Sequence, residues 1–103
     1  MKPVFINFSD ENGETVKTYT TCSMKTGMVD QIFEMADRAD SLERDKISVK
    51  DAKNFYMDLK ALILAIFKYQ FSLEDLNEGV EQDELLNVFK EICSRIGAGS
   101  QKN

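Results

Sequence analysis

General acid–base chemistry at neutral pH runs most often through histidine, whose ordinary pKa keeps both protonation states within reach. This 103-residue chain contains no histidine. Carboxylates remain as proton carriers, but the Asp and Glu residues stand at the starts of apparent helices and on polar faces, where such groups are solvated. Cys22 and Cys93, the only cysteines, are far apart and in no metal-ligand spacing. Both read as free thiols packed as small apolar groups. Asp75-Leu76-Asn77-Glu78-Gly79 begins as a calcium loop does, yet the glycine stands fifth instead of sixth and Leu86 occupies the place of the closing glutamate. Asp10-Glu11-Asn12-Gly13 reads as a hairpin turn, not an ion site. No catalytic, cofactor or metal residue emerges, and the chain reads as a binding protein rather than an enzyme.

Two features bear on binding. Met24, Met28, Met35 and Met57 are numerous for this length, and flexible thioethers suit surfaces that adapt to a partner, although at helical spacing they also fill cores. The stretch from Phe71 to Phe89 holds Glu74, Asp75, Glu78, Glu81, Asp83 and Glu84 without a Lys or Arg. Such a run is either a solvated face or a receptor for a basic helix. Met24, Met28, Met35, Glu74, Asp75 and Glu78 are therefore the candidate partner contacts. Asp40-Ser41-Leu42-Glu43 invites one alternative, since acyl carrier proteins bear a phosphopantetheine arm on the serine of Asp-Ser-Leu. In that family the serine opens an amphipathic helix, whereas Glu43-Arg44-Asp45-Lys46 here follows with no apolar face. A second alternative is an acidic inhibitor that mimics DNA.

Net charge is −5, a sign that repels phosphate backbones and anionic lipid headgroups, so nucleic acid and membrane surfaces are poor partners. The most apolar run, Ala61 to Phe67, is bounded by Lys60 and Lys68 and is far shorter than a membrane span. Met1 to Asn7 shows no secretory signal pattern, and a cytoplasmic protein is expected.

The elements that must position any binding surface follow from periodicity. Val4, Ile6 and Phe8 alternate with Phe5 and Asn7, which predicts a strand; Asn12-Gly13 supplies a turn, and Thr15 to Thr21 is rich in β-branched residues. Met24, Met28, Ile32, Met35, Ala36 and Ala39 recur at helical steps, with Val29 and Phe33 widening the stripe, and predict a helix from about Thr26 to Ala39. Asp40 to Lys46 reads as an exposed connection. Ser48 followed by Asp51 opens a central helix patterned through Val49, Ala52, Phe55, Tyr56, Leu59, Leu62, Ile63 and Ile66. Its second half, apolar almost all round, needs cover on several sides. Ser72 and Asp75 open a short helix ending near Gly79, whose missing Cβ suits a left-handed cap. Leu85, Leu86, Val88, Phe89, Ile92, Cys93 and Ile96 form one face of a last helix that Gly97 stops. The prediction is an α+β fold: an N-terminal β-hairpin packed against about four helices, mostly helical, in one domain over 1–97 with a flexible tail over 98–103.

Tyr69-Gln70-Phe71-Ser72-Leu73-Glu74-Asp75-Leu76-Asn77-Glu78-Gly79-Val80 follows an apolar helix and precedes Glu84-Leu85-Leu86 and an amphipathic helix. This arrangement, over roughly residues 55 to 97, resembles the tail assembly chaperones of long-tailed (siphovirus-type) phages of Gram-positive bacteria. Their pattern is an aromatic-Gln-Phe-Ser/Thr-x-x-Asp-Leu core, then an acidic residue and glycine, then a helix ending near glycine. The resemblance implies a non-catalytic protein of the host cytoplasm, absent from the finished virion. It implies binding to the tape measure protein while tail tube subunits assemble, with a longer frameshift product recruiting tail tube protein. Many copies along one filament imply a homo-oligomer built head-to-tail. Within the motif, Phe71 and Leu76 read as core residues, Ser72 as a helix cap supported by Asp75, and Gly79 as the helix end.

Overall fold

The computed structural model describes residues 2–97; the expected tail over 98–103 lies outside them. The order is β1 (Val4–Ser9), β2 (Thr15–Thr21), α1 (Thr26–Arg44), α2 (Val49–Ile66), α3 (Leu73–Gly79) and α4 (Gln82–Ile96). This is the mostly helical α+β arrangement that the periodicities predict, a hairpin followed by four helices.

β1 pairs antiparallel with β2, placing Val4 opposite Thr21 and Ile6 opposite Tyr19. Val4, Ile6 and Phe8 are buried while Phe5 is exposed, as a period of two requires of a half-covered strand. The Asp10 carboxylate accepts from the backbone N–H of Asn12 and Glu14, and Gly13 takes φ 83°, which closes the turn. Each outer edge of the hairpin is stopped by a side chain from the helical part. The Asn7 N–H donates to the Glu84 carboxylate at 2.9 Å, and the Gln70 amide donates to the Thr20 carbonyl at 2.8 Å. Edge groups met in this way are less available to a stray strand.

α1 begins at Thr26 as expected but continues to Arg44, five residues beyond Ala39. The segment Asp40–Arg44, read as an exposed connection, is therefore helical. No Gly or Pro interrupts it, Leu42 keeps the stripe in contact with the core, and Arg44 reaches back to Asp40 at 3.1 Å. Ser41 consequently lies in the last turn of α1, where its carbonyl accepts the Asp45 N–H, instead of opening a helix as a carrier serine does.

α2 is capped by Ser48, whose hydroxyl accepts the Asp51 N–H. Phe55, Leu59, Leu62, Ile63 and Ile66 are buried, but Val49, the first residue of the helix, is 86% exposed. The helix ends in a Schellman arrangement: the Lys68 N–H donates to the Ala65 carbonyl and the Tyr69 N–H to the Leu64 carbonyl, both at 2.9 Å. Lys68 and Tyr69 hold φ of 57° and 58°, although left-handed backbone at such a stop is usually given to glycine. Hydrogen bonds from the Lys68 ammonium to the Ser23 carbonyl and hydroxyl, and from the Thr21 hydroxyl to the Ile66 carbonyl, tie this turn to the chain leaving β2.

α3 opens with a full capping box: the Ser72 hydroxyl accepts the Asp75 N–H at 3.0 Å, and the Asp75 carboxylate accepts the Ser72 N–H at 3.1 Å. Gly79 at its end does not adopt a left-handed φ, contrary to the expected cap; among the described residues only Gly13 and Gly97 do so among glycines. What requires glycine there is crowding, since a Cβ would stand 2.6 Å from Phe8 Cδ2. α4 ends at Gly97, the stop expected for it, and there the backbone takes a left-handed φ of 84°.

α2 packs on α1 and α3, while α4 packs on β1 and α1 and α3 reaches β1. Ile6, Ile32, Leu59, Ile63, Ile66, Phe67, Leu76 and Ile92 are fully buried between them. Phe8, Tyr19, Phe67 and Phe71 form an aromatic group at the hairpin side, with ring centroids 5.0–5.7 Å apart where they touch. No helix is long and apolar enough to cross a membrane among the described residues.

Candidate functional site

A wide concave surface lies where α1, α2 and α4 fail to close on one another, and it forms an open groove of about 920 Å³. α1 turns Ile32 and Met35 into the core and offers the neighbouring face, Phe33, Ala36, Ala39 and Leu42, to the groove. Alanines at 36 and 39 keep that wall low. Phe55 and Tyr56 of α2, with ring centroids 5.1 Å apart, and Leu86, Phe89 and Cys93 of α4 make the floor and the facing wall. Phe33 is 47% exposed, a large apolar surface left to water at the mouth.

The rim is charged unequally. Asp37, Asp40 and Glu43 project along the α1 side, and Lys90 stands on the α4 side. Arg38, the cation next to Asp37, is directed across to Asp58 of α2 at 2.8 Å, with its guanidinium 5.7 Å from the Phe55 ring centroid. The arrangement can hold an apolar segment against aromatic and aliphatic groups. Among the described residues no set of His, Cys, Asp or Glu is grouped to hold a metal ion.

Cys93 is buried as expected, but Cys22 is exposed, because it follows β2 where nothing covers it. Burial pushes the Cys93 thiol up from 9.0 to about 11. The unfolded chain therefore ionises this thiol first, and the stability it contributes is complete below pH 9.0 and lost as pH rises through about 11. In denaturant titrations between about pH 8 and pH 10.5, the gap in stability between the native chain and Cys93→Ala should narrow with rising pH. A gap that stays constant would contradict burial of this thiol in its neutral form.

The expected contact residues fall on different elements. Met24 and Met28 are half-buried against the core and Met35 is only 7% exposed, so these thioethers fill space beside and beneath α1. Met57 on α2 is the exposed one. Glu74, Asp75 and Glu78 are exposed on α3, with Asp75 engaged in the capping box. Phe71 and Leu76 are buried. Sequence reasoning does not single out the groove residues Phe33, Ala36, Ala39, Leu42, Tyr56 and Leu86 as contacts, because each belongs to an apolar helical stripe. The available signal is the width of the α1 stripe, which Phe33 extends beyond what one buried face accommodates.

Comparison with curated proteins and with solved structures gives no match. A family model described as phage tail chaperone protein matches residues 3–103. With nearly its whole length matched, from β1 through α4, the chain belongs to the phage tail chaperone family.

Proposed function

We propose that this tail chaperone binds the tape measure protein and keeps it soluble in the host cytoplasm while tail tube subunits assemble around it, leaving before the virion is complete. The observation that carries the reading is the open groove with Phe33 half exposed at its mouth. A long helical partner presents apolar stripes that need temporary cover, and a trough between helices gives such cover without a chemical step. Release must follow, so each contact is weak and the grip comes from many copies on one chain. Head-to-tail self-association and recruitment of tail tube protein by a longer frameshift product belong to the same reading.

Co-expression with the tape measure protein tests it. The partner should become soluble and co-purify, and Phe33→Ala should reduce capture about tenfold, as truncation of an aromatic side chain that the partner covers does. The same change should leave the melting temperature nearly unaltered, because the ring is half exposed. A tape measure protein that remains insoluble with the native chain, even beside the longer product, would remove the proposal.

A further inference from the structure

From the unequal rim of the groove we infer that its occupant is an amphipathic α-helix carrying Lys or Arg along the flank that faces α1. The inference rests on the groove being the docking site and adds the chemistry of what docks. From Phe33 to Glu43 the α1 wall advances about 15 Å, at about 1.5 Å per residue, which matches roughly three turns of a second helix. The walls are helices whose backbone groups are already paired internally, and among the described residues no strand edge opens into the groove. An extended occupant would leave its own N–H and C=O groups unpaired against the accessible apolar groups Phe33, Tyr56 and Leu86, whereas a helix satisfies them within itself.

Charge selects among helices. Asp37, Asp40 and Glu43 stand on one wall, all exposed. Arg38 does not offset them, because it does not line this groove and turns instead to the neighbouring concavity, where it meets Asp58. Arg44 reaches Asp40, but both side chains are 62% exposed and such a pair is weak enough to exchange for an incoming cation. Lys90 is the only cation lining the groove among the described residues, and it sits opposite. An occupant with acidic flanks would meet three like charges on its α1 side and one opposite charge on the other. The α3 acids Glu74, Asp75 and Glu78 lie on another element and do not line this groove.

Two synthetic helical peptides with one shared Leu stripe, one flanked by Lys and one by Glu, provide the test by fluorescence anisotropy on the full chain. The Lys peptide should bind at least about tenfold tighter at about 50 mM salt, with the advantage shrinking at about 500 mM. Reversal of the wall by D37K/D40K/E43K should invert the preference, while E74K/E78K should leave it unchanged. Phe33→Glu, which fouls the mouth from an exposed position, should weaken both peptides. Equal binding of the two peptides, a preference untouched by the triple reversal, or one abolished by E74K/E78K would overturn the inference. So would sedimentation showing that the chain alone forms a dimer that the triple reversal dissociates, since a second copy would then be the occupant. If the native chain solubilises the tape measure protein but the peptides fail, only the helix chemistry falls. If the peptides bind as expected and the tape measure protein is never captured, the inference stands and the choice of partner falls.

Discussion

Phe67→Ala should lower the stability of the chain by about 3–5 kcal/mol, the range for removing a large aromatic side chain from a core. A domain of this size has about 5–15 kcal/mol in total, so a large share of the molecules would be unfolded at moderate denaturant. The magnitude follows from where the ring sits. Phe67 is fully buried at the end of α2, its centroid is 5.7 Å from that of Phe71, and it lies directly before the left-handed pair Lys68 and Tyr69. The neighbours cannot close over the vacancy, because the Schellman turn and the Gln70 and Thr21 hydrogen bonds hold the hairpin and the helix end at a set distance. Val49→Ala is the matched control, since periodicity places Val49 in the same apolar pattern of α2. At 86% exposure its loss should change stability by no more than about 0.5 kcal/mol. Urea titrations with unchanged slope and separated midpoints would show both effects. Similar midpoints for the two variants would mean that the aromatic group is not the centre of the core.

That contrast marks what periodicity can and cannot convey. Alternation in Val4, Ile6 and Phe8, the buried series Phe55, Leu59, Ile63 and Ile66, and the pairs Ser48–Asp51 and Ser72–Asp75 are local patterns, and the elements they announce are present. Local patterns fail where a neighbour decides. Asp40 to Arg44 looks solvated because it is charged, yet it continues the helix and Leu42 packs against the core. Lys68 and Tyr69 carry no glycine or asparagine signal, since their turn is imposed by hydrogen bonds to the chain after β2 and along α2. The groove is a stronger case. Its apolar residues each read as part of a core stripe, and it exists only because three such stripes meet incompletely. The segment from Gln70 to Asp75 behaves oppositely: Gln70 holds the edge of β2, Phe71 fills the aromatic group, and Ser72 with Asp75 caps α3. Those residues record how the scaffold is joined, so their legibility points to the fold rather than to the contact surface.

Gly79→Ala separates two physical effects of opposite sign. Gly79 ends α3 with an ordinary backbone, so nothing in its φ forbids alanine, and in a helix alanine is favoured over glycine by about 1 kcal/mol. Propensity alone therefore predicts a more stable protein. Packing predicts the reverse, because the new Cβ would lie 2.6 Å from Phe8 Cδ2 and 3.3 Å from Cε2. The Phe8 ring has little freedom to retreat, being held edge-on by Tyr19 at 5.1 Å and Phe71 at 5.0 Å, with Tyr19 and Phe71 themselves in contact. Overpacking of this kind costs about 1–3 kcal/mol, which exceeds the gain in propensity, so a net loss of stability is expected. A double-mutant cycle with Phe8→Leu isolates the cause. In the Phe8→Leu background the ring is gone, and Gly79→Ala should become neutral or stabilising, although Phe8→Leu by itself weakens the core. If Gly79→Ala already stabilises the chain with Phe8 in place, the ring yields and the close approach of β1 to α3 is not what demands glycine.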